Sequence, residues 1–192
     1  MPFQFVAVGT SFGGFHALKT VLGGLRNDFP VPIGVVQHRS HANSDAFASL
    51  LANHTPLPVL EVEDKEPIRE GYIYVCPPNY HLLVDGDHFA LSTDAPVFHA
   101  RPSIDVLFES AADSFQEGVV GVLLTGMSKD GAAGLRRIKE NGGCVVVQDP
   151  SAAAGRIMPK AAIASVVVDK ILPLEEIAPS LTALCVGQRT VV

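Results

Sequence analysis

The chain has 192 residues, 47% of them apolar and 18% charged, with 14 basic and 20 acidic side chains for a net charge of -6. That length fits a single domain, residues 1–192, able to bury about 70% of the surface its unfolded form exposes, and the composition excludes disorder, a coiled coil and a collagen-like repeat. An acidic chain with no Lys/Arg block is a poor nucleic-acid binder. It has no polybasic membrane anchor, and no apolar run reaches transmembrane length, so neither nucleic acid nor membrane insertion is expected.

Met1-Pro2-Phe3-Gln4 carries no positive n-region, so the amino terminus does not read as a signal peptide. Cys76, Cys144 and Cys185 form no C-x-x-C pair, and an odd count argues against a disulfide framework. Cytoplasm is the default location.

Phe5-Val6-Ala7-Val8 reads as a short buried strand, followed by Gly9-Thr10-Ser11-Phe12-Gly13-Gly14 and a helical pattern through Ala17, Leu18, Val21 and Leu22. Ile33–Gln37 is a second strand, and Ser44–Asn53 is helical, with Phe47, Leu50 and Leu51 at helical spacing. The segment from Val59 to Leu91 differs: Gly71–Val75, Tyr80–Val84, an Asp85-Gly86 turn and His88–Leu91 predict a β-hairpin, read as an antiparallel extension at one edge of the sheet. Val119–Leu124 is a third buried strand, and Asp130 opens a helix with Ala133, Leu135 and Ile138 on its apolar side. Cys144–Val147 is a fourth strand, Val166–Val168 a fifth, and Leu174–Leu184 a closing helix. Strands without polar interruption, alternating with helices, belong in a parallel sheet covered on both faces. The predicted fold is a single doubly wound α/β domain, mainly parallel, with that hairpin at one edge.

Gly9-x-Ser11-x-Gly13 lies between a strand and a helix, the context of a nucleophile elbow, where glycines permit a sharp turn and helix-start N–H groups face any oxyanion. Two other readings stay open at this point: a purely structural turn, and a phosphate-binding turn, since Gly9-x-Ser11-x-x-Gly14 is that fingerprint without its middle glycine. A nucleotide fold also wants an acid after the second strand, where this chain has Gln37-His38. A serine attacks only with a base and an orienting group. His38 and Asp130 follow two further strands, and parallel strand ends open on one edge. Singly, His38 reads as an ordinary loop histidine and Asp130 as a cap on the helix it opens; together with Ser11 they read as a catalytic set. The α/β-hydrolase order of Ser, acid, His does not fit, because no histidine follows His99.

Four stretches resemble the catalytic domain of the bacterial chemotaxis protein-glutamate methylesterases: Val8–Gly14, Gln37-His38, His99–Phe108 and Leu124–Ala132. The most specific are Arg101-Pro102-Ser103-x-Asp105 and Thr125-Gly126-Met127-x-x-Asp130-Gly131-Ala132, and the resemblance runs from Phe3 to Leu184. It implies hydrolysis of γ-glutamyl methyl esters on chemoreceptor helices with release of methanol, and deamidation of certain receptor glutamines. It implies Ser11 as nucleophile, His38 as general base and acid, Asp130 as its orienting group, and the backbone N–H groups of Phe12 and Met127 as oxyanion donors. No metal or organic cofactor is implied. The implied partners are methylated receptor helices and members of a histidine-kinase pathway.

The family often has Thr where this chain has Phe12, which sets a bulky ring beside the nucleophile. The chain begins at the catalytic strand, so control through a phospho-receiver domain is not expected. Arg101 is a candidate for pairing with an acid in the fold or for binding an acidic substrate group. Arg39 beside His38 either tunes the base or points to solvent. His38 and His41 form an H-x-x-H pair without a further ligand at matching spacing. The alternatives to the esterase are a docking module that has kept the fold without catalysis, and a nucleotide-binding domain.

Overall fold

The computed structural model describes residues 3–39 and 46–186. Seven strands form one parallel sheet: β1 (Phe5–Thr10), β2 (Ile33–Gln37), β3 (Val59–Glu61), β4 (Ile73–Val75), β7 (Val119–Leu123), β8 (Cys144–Gln148) and β9 (Lys170–Leu172). Their spatial order is β3-β4-β2-β1-β7-β8-β9. The remaining two, β5 (His81–Asp85) and β6 (His88–Ser92), pair antiparallel.

β1 runs through the centre, paired with β2 on one side and β7 on the other, and all six of its residues are buried. Its side chains alternate between two cores. Val6 and Val8 meet α1 (Gly14–Gly23), α2 (Phe47–Ala52) and α6 (Leu174–Val186). Phe5 and Ala7 meet the face covered by α3 (Ile104–Phe115), α4 (Ala132–Glu140) and α5 (Ile157–Ser165). A strand buried on both faces is expected to be apolar, as β7 is throughout and as β1 and β2 are up to their last residues, Thr10 and Gln37. The helices bury one stripe each: α1 turns Ala17, Leu18, Val21 and Leu22 inward, and α4 buries Leu135 and Ile138 while Arg136, Arg137 and Lys139 stay at the surface.

Three expectations change. The hairpin forms where the turn residues placed it, with Gly86 at φ 61° in its two-residue loop, but it stands as a separate sheet and does not extend the main one. It lies against α3, where Ser110 and Ser114 hydrogen-bond the N–H and C=O of Val84 and satisfy its outer edge. Part of the segment read as antiparallel supplies two parallel strands: β3 pairs with β4, and β4 with β2. Finally, Val166–Val168 is not a strand. Val166 N–H still bonds Ala162 O to close α5, and the ladder to β8 begins at Asp169, whose N–H reaches Val145 O. Ser44, the expected start of the second helix, lies outside the described residues; the described helix there is Phe47–Ala52.

Phe108 is fully buried where α3 meets α4, its Cβ 2.4 Å from the position a side chain on Gly134 would take. Its ring fills part of the core on the α3–α4 face of the sheet, and Ala would leave that space empty. Phe108→Ala should therefore lower unfolding free energy by about 3–5 kcal/mol, read from urea denaturation with the slope unchanged.

Candidate active site

From β1 the chain moves outward to β2 on one side, and after α3 it returns at β7 on the other side of β1. That reversal makes a crevice at the carboxyl ends of β2, β1 and β7. Ser11 is the first residue after β1, His38 the first after β2, and Asp130 lies in the loop after β7. The structure thus brings all three to one edge of the sheet.

Local chemistry shapes the Ser11 loop. Gly13 holds φ 77° at the start of α1, a conformation other residues adopt only at a cost. A Cβ on Gly14 would lie 1.9 Å from Gln37 Oε1, so α1 approaches β2 closely only without one. Thr10 Oγ1 donates to Thr125 O (2.9 Å), and Thr125 Oγ1 donates back to Phe12 O (2.8 Å), which sews the loops after β1 and β7 together. Gln37 Nε2 donates to Ser11 O (2.8 Å) and His38 O (2.9 Å), tying the β1 and β2 loops. The sequence showed Gln37 as the missing acid and as part of a motif, with no role of its own; its signal was its place at a strand end, beside the histidine.

Asp130 is fully buried, and it does not cap the helix it precedes, whose N-cap is Gly131. Its carboxylate sits at the amino end of α3. Oδ1 accepts Ser103 Oγ–H (2.9 Å) and Asp105 N–H (2.9 Å); Oδ2 accepts Ile104 N–H (2.7 Å) and lies 2.7 Å from His38 Nε2. Burial by itself would raise the Asp130 pKa. The His38 hydrogen bond and the backbone N–H groups of Asp105 and Ile104 outweigh it and hold the group below the ordinary carboxylate value. An ionised carboxylate only accepts, so Nε2 carries the proton, and Nδ1 is the imidazole nitrogen left to accept one.

The capping is reciprocal. Asp105, in the first turn of α3, accepts the Gly134 N–H of α4 at 2.7 Å. Burial pushes the Asp105 carboxyl up, to about 7, against the Gly134 hydrogen bond that favours its charge; the neighbouring Asp130 charge adds to the rise. Ser103 and Asp105 were quoted in the sequence only as parts of a motif. A Ser-x-Asp ahead of an apolar helical run was the available signal, but which carboxylate served which helix was not in it.

Ser11 is partly exposed, and no hydrogen bond joins its Oγ to His38 among the described residues. Bonds of this kind often tighten only in the Michaelis complex. Ser11 N–H is spent on Thr125 O (2.9 Å), whereas the N–H groups of Phe12 and Met127 find no acceptor among the described residues. Both side chains stand on the rim, Phe12 63% and Met127 55% exposed. A serine hydroxyl, an imidazole held by a carboxylate, and two unspent N–H donors are the parts that acyl transfer needs.

Arg39 does not point to solvent; its side chain is 7% exposed. Its Nη2 donates to Glu61 Oε2 and to Cys76 O, each at 2.9 Å, and its guanidinium covers the Phe47 ring at 4.6 Å. Among the described residues Arg101 pairs with no acid. Its Nη1 donates to Thr93 O (2.7 Å) and Asp94 O (3.0 Å), holding the loop before α3, while it shares with His38 a cleft of about 380 Å³. Ser11 borders the adjoining hollow, with Gln37 and Phe15. His41 lies outside the described residues, and among those described no three His, Cys, Asp or Glu side chains gather into a metal site.

The sequence model of a family described as CheB methylesterase matches residues 6–181. A provisionally named protein-glutamate methylesterase/protein-glutamine glutaminase of Leptospira interrogans is 44% identical over 179 residues, 93% of this chain and 93% of its own. The protein-glutamate methylesterase/protein-glutamine glutaminase 2 of Anaeromyxobacter dehalogenans is 41% identical over 181 residues, 94% of this chain but 53% of its own, so this chain spans about half of that relative. The crystal structure of the Thermotoga maritima CheB methylesterase catalytic domain superposes with a TM-score of 0.92 at 31% identity, over 96% of this chain and 100% of that one.

The two carboxylates respond to pH in opposite senses. Asp105 has its native pKa raised from 3.8 to about 7, so the stability linked to its proton is full below about 4 and is lost as pH rises through about 7. Asp130, held low, contributes stability above the ordinary carboxylate value and loses it as pH falls. Asp105→Asn cannot ionise, yet its amide oxygen still accepts from Gly134. Thermal melts at about pH 5 and about pH 8.5 should show the variant gaining on the parent by several degrees at the higher pH.

Proposed function

The chain belongs to the CheB methylesterase family and is a protein-glutamate methylesterase, a hydrolase of carboxylic esters, and on that premise we propose how its residues carry the reaction. Ser11 Oγ is the nucleophile and His38 Nδ1 takes its proton. Asp130 keeps Nε2 protonated and the ring in place, and stabilises the imidazolium that forms. The single observation that carries this reading is the His38–Asp130 hydrogen bond of 2.7 Å, made to a carboxylate that three further donors hold rigid.

Oγ attacks the ester carbonyl, and the oxyanion forms against the N–H groups of Phe12 and Met127. The tetrahedral intermediate collapses to an acyl-enzyme as His38 returns the proton to the departing methoxide, which leaves as methanol. Water then attacks the acyl carbon with His38 again as base, Ser11 is released, and the product is a glutamate side chain. A glutamine side chain follows the same route and loses ammonia. The substrates are methyl-esterified glutamates on chemoreceptor or receptor-like helices. The Phe12 ring stands outward on the rim, where it narrows the choice of substrate without touching the backbone donor.

A docking module without catalysis would need none of this arrangement. A fluorophosphonate that labels Ser11, located by peptide mass mapping, separates the two readings. Ser11→Ala should lower methanol release from methylated receptor on the order of a thousand-fold or more, with a residual rate over water from the oxyanion donors, and leave the melting temperature nearly unchanged. Turnover at the parent rate would end the mechanism.

Asp130→Asn should act on both activity and stability. An amide turns an N–H₂ toward groups that are themselves donors, leaving at least one buried donor unpaired at a cost of about 1–3 kcal/mol. It also favours the wrong His38 tautomer. Turnover should fall about a hundred-fold or more, less than for an amide substrate because methoxide leaves with less help from an acid. Steady-state kinetics beside urea unfolding read the two effects on the same protein.

A further inference from the structure

Phe98 and His99 stand at φ 48° and 63°, two consecutive side-chain-bearing residues in the left-handed region. They are the centre of a four-residue turn closed on both sides, Val97 N–H to Ala100 O (3.1 Å) and Ala100 N–H to Val97 O (2.8 Å). Turns that need this conformation at both central positions favour Asn-Gly, not an aromatic residue and a histidine. Backbone strain of this kind persists only where the surroundings enforce it. Here they do: Arg101 Nη1 grips Thr93 O and Asp94 O, and buried His81 accepts Ser103 N–H at Nδ1 while its Nε2 lies 3.2 Å from Ala95 O. The root of the loop is fixed, and the turn holds Phe98 out at 56% exposure.

Phe98 divides two hollows. On one side it lines the cleft that contains His38 and Arg101. On the other it closes a groove of about 400 Å³ between α4 and α5, floored by Ala132, Ala133, Ala161 and Ala164. Lys129 and Arg136 border that groove, and neither has a carboxylate partner within the described residues. The chain as a whole carries a net charge of -6, so a groove whose charged borders are all cationic departs from the rest of the molecule. Small residues on facing helices let another backbone come close, apolar floor and charged borders suit an amphipathic segment, and unpaired cations favour an acidic one.

We propose that the α4–α5 groove docks the acidic segment of the substrate protein that flanks the scissile ester, with Phe98 as the specificity residue that sets where that segment crosses into the catalytic cleft. This rests on the methylesterase reading above and adds to it a place for the protein part of the substrate. An acidic segment meets repulsion over much of the surface and attraction here, which steers encounter as well as binding. The alanine floor takes its apolar side, and the Phe98 ring bears on the backbone at the boundary with His38.

The test compares a methylated receptor cytoplasmic fragment with p-nitrophenyl acetate, a small ester that reaches Ser11 without using the groove. The variants are Phe98→Gly, which relieves the backbone strain, and the exposed pair Lys129→Glu/Arg136→Glu. The ratio of kcat/KM on the receptor to kcat/KM on the small ester should fall about ten-fold or more in each, chiefly through KM. Phe98→Gly should melt at or above the parent temperature, an opposition of stability and recognition that a merely structural residue does not produce. Raising salt should weaken receptor turnover in the parent more than in the charge-reversed pair. An unchanged ratio in either variant overturns the proposal, as does an equal loss on both substrates. A parent that fluorophosphonate labels at Ser11 but that releases no methanol from the receptor overturns the substrate reading and this inference together; a parent active on receptor, with variants that match it, overturns the groove alone.

Discussion

The carboxylate of Asp130 accepts hydrogen bonds from Ser103, Ile104, Asp105 and His38, and the working edge of the molecule is organised around that one buried charge. An ion this deep in the protein is tolerated only when its lone pairs are met. Three of the donors belong to the start of α3, where unspent N–H groups and the helix dipole favour a negative charge. The fourth is the proposed base. One interaction therefore fixes the loop after β7, the first turn of α3 and the orientation of the His38 ring. It couples catalysis to packing, since a change that frees the imidazole also leaves the start of a buried helix without its cap.

The second carboxylate sharpens the point. Asp105 and Asp130 sit side by side at the junction of α3 and α4, each serving the helix that the other's segment leads into. Two adjacent buried carboxylates do not ionise equally. Asp130, with four donors, keeps its charge. Burial and the neighbouring charge favour the protonated, neutral form of the Asp105 carboxyl, although the N–H of Gly134 works against them. The negative charge is thus placed on the carboxylate that faces the imidazole.

Around this rigid centre the rim is apolar and partly strained. Phe12, Phe98 and Met127 all stand out from the surface at the carboxyl edge of the sheet. Large exposed apolar side chains gathered near a cleft mark surfaces that meet other molecules. A protein substrate, unlike a small ester, brings enough surface to use them.

Periodicity and local chemistry were enough to read much of the chain. Apolar runs such as Phe5–Val8 and Ile33–Val36, alternating with helical patterns, suit a covered parallel sheet, so the doubly wound class and the strand-end positions of Ser11, His38 and Asp130 were legible, and the motif stretches pointed to the family. The exceptions were elements whose fate depends on distant partners. Val166–Val168 has the composition of a strand, but pairing with β8 starts only at Asp169. The hairpin found its edge satisfied by Ser110 and Ser114 of α3 and did not join the sheet. Taken singly, Asp130 reads as the cap of the helix that follows it, because local sequence shows only local acceptors and donors; only beside Ser11 and His38 does it read as an orienting group. Its actual partners lie 25 to 27 residues away, at the N-cap and first turn of α3, and 92 away at His38. What the sequence determined by itself was which residues prefer strand, helix and turn, and so which side chains reach the open edge of the sheet. Which carboxylate holds the charge, which helix each one caps, and which groove shares Phe98 with the cleft of His38 were decided only by tertiary structure, because hydrogen bonds and desolvation act through space between segments that the chain order keeps apart.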